Sequence, residues 1–248
     1  MKAISLNQTK HWLKTSEHPF AKFVFAQLKS MLKFELPAPK FMLRSAYFVY
    51  QILTTLLTTM SRILLWTPLF KGRLEKVGKN LNLYGGLPYI SGPVRIIIND
   101  DCRVSGQSTF TGRSCATVAP VLTLGNNIDI GWMTTIAVGS NVSLGDNVRI
   151  AGRAFLAGYP GHPLDPTARA LGLPETDDQV GDIIIEQDVW LATGVSVMAG
   201  VRIGHGTIVA AGSVVTHDLP AMVLAGGVPA RVIRTLTTSD KSDAVEEK

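Results

Sequence analysis

The chain has 248 residues, 46% hydrophobic and 17% charged, enough apolar content to close one domain around a core and too much for global disorder. Its net charge of +5 is split unevenly: positions 1–80 hold thirteen Lys/Arg against three Glu, a surplus of +10, and the remainder holds eleven against sixteen, a deficit of −5. Such asymmetry predicts a basic segment facing an anionic partner; no motif points to nucleic acid, so the expected partner of that kind is a membrane surface.

The opening MKAISLNQTKHWLK has no uninterrupted apolar run and no small-residue cleavage site, so it does not read as a secretory signal. The expected location is the cytoplasm, including the cytoplasmic face of the inner membrane. From Phe20 to Phe34 a helical period sets Lys22, Lys29 and Lys33 on one side. Phe20, Phe23, Val24, Leu28, Met31 and Phe34 fill the other side, which predicts a basic amphipathic helix ended by Pro37 and Pro39. A second apolar stretch runs from Phe41 to Phe70. Within it Arg44 and Arg62 bracket seventeen residues, SAYFVYQILTTLLTTMS, at the short limit for crossing a bilayer and diluted by Gln51 and threonines. A true span is therefore not expected. Residues 1–75 are predicted to form a helical extension that packs on the main domain or a neighbouring subunit, or lies in a membrane interface through residues 20–70.

From position 98 the chain steps in sixes, a period of neither a helix nor a simple strand. Apolar residues recur at Ile98, Val104 and Phe110, at Leu124 and Ile130, and at Val138, Leu144, Ile150 and Leu156. The series resumes at Ile185, Leu191, Val197, Ile203, Val209 and Val215. Four residues after each comes a mostly small or β-branched partner, as at Val189, Val195, Val201, Thr207, Ser213 and Leu219. Each hexad is read as one short strand and a turn, three hexads closing a triangular coil whose first residues point inward. The predicted fold is thus an all-β solenoid, a parallel β-helix over residues 76–234, in which each coil touches only its neighbours. Glycine follows the inward residue at Gly125, Gly131, Gly139, Gly145 and Gly204, where the backbone bends and a side chain is costly. Cys102 and Cys115, without CxxC spacing and set among small residues, read as buried reduced thiols, and partner ligands for a metal are scarce. A two-residue slip is read between Ile130 and Val138. A long break between Leu156 and Ile185 leaves residues 157–184 as a loop inside otherwise regular coils, a position that usually marks function.

That loop begins AGYPGHPLDPTAR and holds His162 between Gly161 and Pro163. An imidazole titrating near pH 6.5 can take a proton from a hydroxyl, the task of a general base; an exposed loop histidine of no special role is the plainer reading. The motifs GHP at Gly161 to Pro163, VW at Val189 and Trp190, AAGSVVT from Ala210 to Thr216 and AGGVPARVIR from Ala225 to Arg234 widen the basis. Together they resemble the galactoside and maltose O-acetyltransferases and their hexapeptide-repeat relatives. The resemblance implies a left-handed β-helix, an exception to the usual right-handed crossover. It also implies a homotrimer, acetyl-CoA as co-substrate, a sugar or glycan hydroxyl as acceptor, and His162 as catalytic base. By the same resemblance Thr193 and Ala211 offer backbone groups to the pantetheine arm, Thr216 and His217 lie beside it, and Arg231 and Arg234 meet the CoA phosphates, a task that suits guanidinium forks. Trp190 would pack near the thioester or cap the coil.

The pattern also departs from those enzymes. Where they place an acceptor-holding Asn the chain reads Gly131-Trp132-Met133, their acidic helper falls on Gly139, and His217 replaces a common lysine. Asp165 and Asp129 are candidate acceptor-binding or histidine-orienting groups, or plain turn residues. The basic apolar front segment replaces the short helical module of the maltose type and points to an acceptor presented at a membrane, such as a lipid-linked glycan precursor or surface polysaccharide unit. An amino-sugar N-acetyltransferase and a non-catalytic trimeric scaffold are the alternatives. A zinc site of the γ-carbonic anhydrase kind is not expected, because His205 and His217 stand twelve residues apart and so on different faces. The tail, residues 235–248, is polar and predicted to be disordered.

Overall fold

The computed structural model describes residues 6–237; most of the predicted tail, from 238 onward, lies outside the described residues. The chain forms two compact units, Met1–Thr55 and Leu56–Lys248.

In the first unit α1 (Leu6–Thr15) is followed by α2 (Pro19–Leu32). His18 caps α2, its ring Nδ1 accepting the N–H of Phe20 at 3.2 Å, and Pro19 occupies the first turn, where a missing N–H costs nothing. This is the predicted amphipathic helix; Ala21 is buried while Phe20, Phe23, Leu28 and Met31 are exposed. The next helix, α3, runs Lys40–Ser61 with no buried residue, and continues through a π turn (Arg62–Trp66) into α4 (Thr67–Arg73). Arg44 and Arg62 do not interrupt it. The resulting 34-residue helix, Lys40–Arg73, has a mean hydropathy of 1.3 in its most apolar window and is long and apolar enough to cross a membrane by length and composition. In the second unit its last turns are committed elsewhere. Phe70 is buried in the solenoid core and Trp66 packs against it; the Arg62 guanidinium donates to Asn82 Oδ1 (2.9 Å) and that of Arg73 to Val94 O (3.0 Å).

The solenoid is a three-sided prism of parallel sheets. Its first face stacks Lys76–Val77, Arg95–Ile98, Val121–Leu124, Asn141–Leu144, Ile183–Ile185 and Arg202–Ile203. The second stacks Asn82–Tyr84, Arg103–Ser105, Asp129–Ile130, Arg149–Ile150, Trp190–Leu191, Ile208–Val209 and Val223–Gly227, and ends on an antiparallel strand, Ala230–Thr235. The third stacks Tyr89–Ser91, Thr109–Gly112, Thr135–Val138, Phe155–Ala157, Ser196–Met198 and Val214–Val215. Every inward residue read from the period is buried, and the register sets like on like: Ile98, Leu124, Leu144, Ile185 and Ile203 form one ladder. In the four middle strands of the first face two residues point in, as Leu122 and Leu124 or Val142 and Leu144, because those strands are longer and side chains alternate.

One reading of the period is corrected. Ile136, not Val138, is the hexad residue, paired with Phe110 and Leu156, so the slip follows Ile136 rather than preceding it. Ile136 and Val138 have the same parity and both are buried, so spacing could not separate them.

The glycines after the inward residues are needed for closeness to the next coil. A Cβ on Gly145 would stand 2.5 Å from Gln187 N, and one on Gly204 2.4 Å from Ala221 N. The left-handed conformations belong to other positions; among residues with a Cβ these are chiefly Asn80, Asp101, Asn127, Asn147 and Asp188 on the corner between the first and second faces, with φ from 54° to 61°. Asn and Asp tolerate that region best among residues with a Cβ. Their side chains form a ladder: Asn127 Nδ2 donates to Asn147 Oδ1 and Asn147 Nδ2 to Asp188 Oδ1, each at 2.8 Å.

The corner from the third face to the first takes up the insertions. Residues 113–120 and 158–182 both leave there, separated by a corner of two residues, Gly139 and Ser140.

Candidate functional site

The long segment 158–182 is tied at its root: Gly158 donates to Ala137 O (2.8 Å), and its own carbonyl accepts from Gly181 N (3.1 Å). Asp165 caps a short helix, α5 (Pro166–Ala170), its Oδ1 accepting from Thr167 N at 3.0 Å. Arg169 Nη1 in turn donates to the carbonyls of Pro163 and Leu164, both at 3.0 Å. His162 is therefore held as its flanks suggest, between Gly161 at φ 81° and a buried Pro163 whose carbonyl is pinned. The imidazole is exposed and lies on a cavity of about 440 Å³ whose lining includes Ser114, Cys115, Leu173, Pro174 and Glu175.

Two loops make that cavity, and the guanidinium of Arg113 makes most of the bonds between them. Arg113 Nε donates to Glu175 Oε1 (2.7 Å), Nη1 to Asp177 Oδ1 (2.6 Å) and Nη2 to Glu175 O (3.1 Å). Arg113 and Glu175 are both buried. Cys115 Sγ donates to the same Glu175 oxygen at 3.3 Å, and Tyr159 Oη to Thr111 Oγ1 at 3.2 Å. Burial pushes the Glu175 carboxyl up, but hydrogen bonds from its own N–H, Arg113 and Cys115 outweigh it and hold the group below the usual carboxylate range. Arg113 is pushed further up, chiefly by Asp177.

The other predicted residues fall into separate groups. Thr193 and Ala211 are exposed on the corner between the second and third faces, in successive coils joined by Gly212 N to Thr193 O (2.9 Å). Thr216 and His217 share the third-to-first corner with His162, with Thr216 Oγ1 2.8 Å from His217 Nδ1. Arg231 and Arg234 are exposed on the final strand, registered against Gly226 and Leu224. Trp190 is half exposed on the outside of the second face between Arg149 and Ile208, with coils on both sides, so it caps nothing. Asp129 points outward from the same face and pairs with Arg103 at 3.2 Å, away from the His162 corner; Asp165 is three residues from His162 but spends its carboxylate on the helix cap. The third face, a strand and turn of roughly 20 Å at extended rise, separates the corner of Thr193 and Ala211 from that of His162. Within one chain the two groups are not brought into one cavity: neither Thr193, Ala211 nor Arg231 lines the one at His162.

Sequence reasoning missed Arg113, Glu175 and Cys115 as a group. The available signal was the interval from Phe110 to Leu124, longer than a hexad and on the same corner as the histidine loop. Cys115 is exposed, contrary to the expectation of a buried thiol, because it lies in that corner loop; Cys102 is buried as expected. Among the described residues no group of three or more His, Cys, Asp or Glu could hold a metal ion.

Comparison with known proteins adds three likenesses. Residues 182–217 match the family model of the bacterial transferase hexapeptide, six repeats. The chain is 37% identical over 118 residues to the galactoside O-acetyltransferase of Escherichia coli K12, covering 48% of this chain and 56% of that protein. It is 39% identical over 107 residues to the galactoside O-acetyltransferase of Lactococcus lactis, covering 43% and 46%. The chain thus spans about half the length of the curated relatives it matches. In fold it is similar to a variant of AntD, an N-acyltransferase from Bacillus cereus crystallised with dTDP and coenzyme A, with a TM-score of 0.56 and 21% identity over 70% of this chain and 90% of that one. The chain is therefore a left-handed parallel β-helix with a helical N-terminal portion that matches the bacterial transferase hexapeptide over residues 182–217 and resembles the galactoside O-acetyltransferases.

Proposed function

We propose that the chain is an acetyl-CoA-dependent O-acetyltransferase acting on a sugar hydroxyl, with His162 as general base. The observation that carries the reading is the exposed imidazole of His162 on the rim of a cavity, next to a Pro163 whose carbonyl is held by Arg169, in a chain whose sequence is similar to galactoside O-acetyltransferases. The acceptor O–H passes its proton to the imidazole as the oxygen attacks the thioester carbonyl. A backbone N–H stabilises the tetrahedral oxyanion; collapse expels the CoA thiolate, which recovers the proton from the imidazolium. Thr193 and Ala211 serve the pantetheine arm, Thr216, His217 and Trp190 flank it, and Arg231 and Arg234 take the phosphates.

Because His162 and the Thr193–Ala211 corner are a face apart, the site is completed by a second copy, in a homotrimer that sets the corner of one subunit against that of the next. The acceptor is a cell-surface polysaccharide unit or lipid-linked glycan precursor, met on the cytoplasmic face of the membrane. Support for that placement is the exposed apolar surface of α3 flanked by Lys40 and Arg44, together with the lysines of α2.

The test is transfer from [acetyl-¹⁴C]acetyl-CoA to a panel of glycosides and amino sugars with product mass spectrometry. O-acetyl product from the wild type and a loss of about 10²- to 10⁴-fold in His162→Ala support the proposal. Product on nitrogen alone would reassign the acceptor, and an inert wild type would leave a scaffold. Sedimentation reads the trimer, and flotation with anionic vesicles the membrane contact.

A further inference from the structure

The cavity beside His162 has two walls from different coils. One, with Ser114 and Cys115, belongs to residues 113–120; the other, with His162, Leu173, Pro174 and Glu175, belongs to residues 158–182. Between their roots lies the two-residue corner Gly139–Ser140; Ser140 Oγ donates to Asp182 at the end of the outer loop but to no residue that lines the cavity. The main link is Arg113. Its own backbone is fixed to the prism, the N–H donating to Val138 O at 3.0 Å. Its side chain is 9% exposed, that of Glu175 5%, and three donors engage a carboxylate, a backbone carbonyl and a second carboxylate.

An ion pair this buried is a poor stability device, since desolvating two charges offsets most of their attraction and an apolar pair of like volume would hold as well. What a guanidinium adds is direction, because its planar fork fixes the orientation of what it binds. We infer that Arg113 is a positioning residue: by gripping Glu175 and Asp177 it sets the distance between the two walls and hence where the imidazole of His162 stands. This rests on the acetyl-transfer reading above. It assigns the loop at 113–120 to the reacting site, although none of its residues needs to touch the co-substrate.

The experiment compares wild type, Arg113→Gln, Arg113→Lys and Glu175→Gln, each as the full chain. Steady-state transfer from acetyl-CoA is measured beside hydrogen exchange of residues 158–182 and of the coils at 183–215. A displacement of about 1 Å at the base suffices for a loss of roughly a hundredfold in kcat. Arg113→Gln is expected to show a loss of that order with KM for acetyl-CoA changed by less than about twofold, the mark of a lost transition-state interaction. Exchange should rise about tenfold in 158–182 and stay unchanged in the coils. Arg113→Lys, which keeps the charge but not the fork, should recover part of both, and Glu175→Gln should follow Arg113→Gln.

Unchanged kcat in folded Arg113→Gln overturns the inference. So does loss of protection throughout 183–215, which would make Arg113 a general packing residue. If the wild type transfers no acetyl group, the catalytic reading has failed on its own account. The clamp is then read from the rate at which diethyl pyrocarbonate modifies His162: a rate altered in Arg113→Gln supports it, and an unaltered rate overturns it.

Discussion

Gly139 faces the carbonyl oxygen of Gly158 so closely that a β-carbon built on it would stand 2.3 Å from that oxygen, and 2.6 Å from Val180 Cγ1. The two-residue corner thus lies directly against the root of the histidine loop. No side chain fits there, which gives a physical reason for glycine at the position where the resemblance would place an acid.

Gly139→Ala should therefore lose about 2–3 kcal/mol, in the range of forced overpacking against backbone that cannot yield. Gly172→Ala is the control: its φ is 70° with nothing within 4 Å, so it should lose only about 1 kcal/mol of left-handed strain. Chemical denaturation midpoints measure both, and equal losses would contradict the contact as the cause.

At Asn147, φ is 60° and the side chain bridges Asn127 to Asp188. Asn147→Ala should cost about 1–2 kcal/mol through conformation and the lost ladder. Asn147→Gly loses the ladder but keeps the conformation, so it should be milder by about 1 kcal/mol. Thermal unfolding of the two variants decides the order.

Acid should release the loop before the coils. Glu175 is held below its ordinary value of 4.5, so its contribution to loop closure is fully present above about pH 4.5 and is lost as the pH falls through the lower folded value. Hydrogen exchange followed downward from neutral pH should show residues 158–182 losing protection first, and Glu175→Gln should remove most of that pH dependence.

The two thiols should separate cleanly. Cys115 is exposed, whereas Cys102 is buried and its thiol is pushed up by that burial. Iodoacetamide on the folded protein should label Cys115 and spare Cys102, as read by peptide mass spectrometry; labelling of both at equal rates would contradict the fold around Cys102.

The prism was legible because its period is enforced by packing. A residue such as Leu156 has neighbours above and below in Val197 and Ile136, so each hexad repeats the same demand for an aliphatic side chain. His162 stood out because Gly and Pro flank it. What spacing could not carry were contacts between corners: Arg113 and Glu175 are 62 residues apart, and nothing local in either segment demands the other. Nor does the period separate Ile136 from Val138, since both satisfy the alternation of one strand.

The stretches 113–120 and 158–182 open from a single edge of the prism, while the ladder of Asn127, Asn147 and Asp188 keeps the edge between the first and second faces to a constant pitch. Strand pairing is thereby insulated from loop length. Residues can be added to or removed from that one edge without shifting the register of any sheet, whereas a single insertion in the Asn edge would turn every following side chain to the wrong side. Natural variation and deliberate loop exchange alike have one seam on which to act, and it is the seam that carries His162.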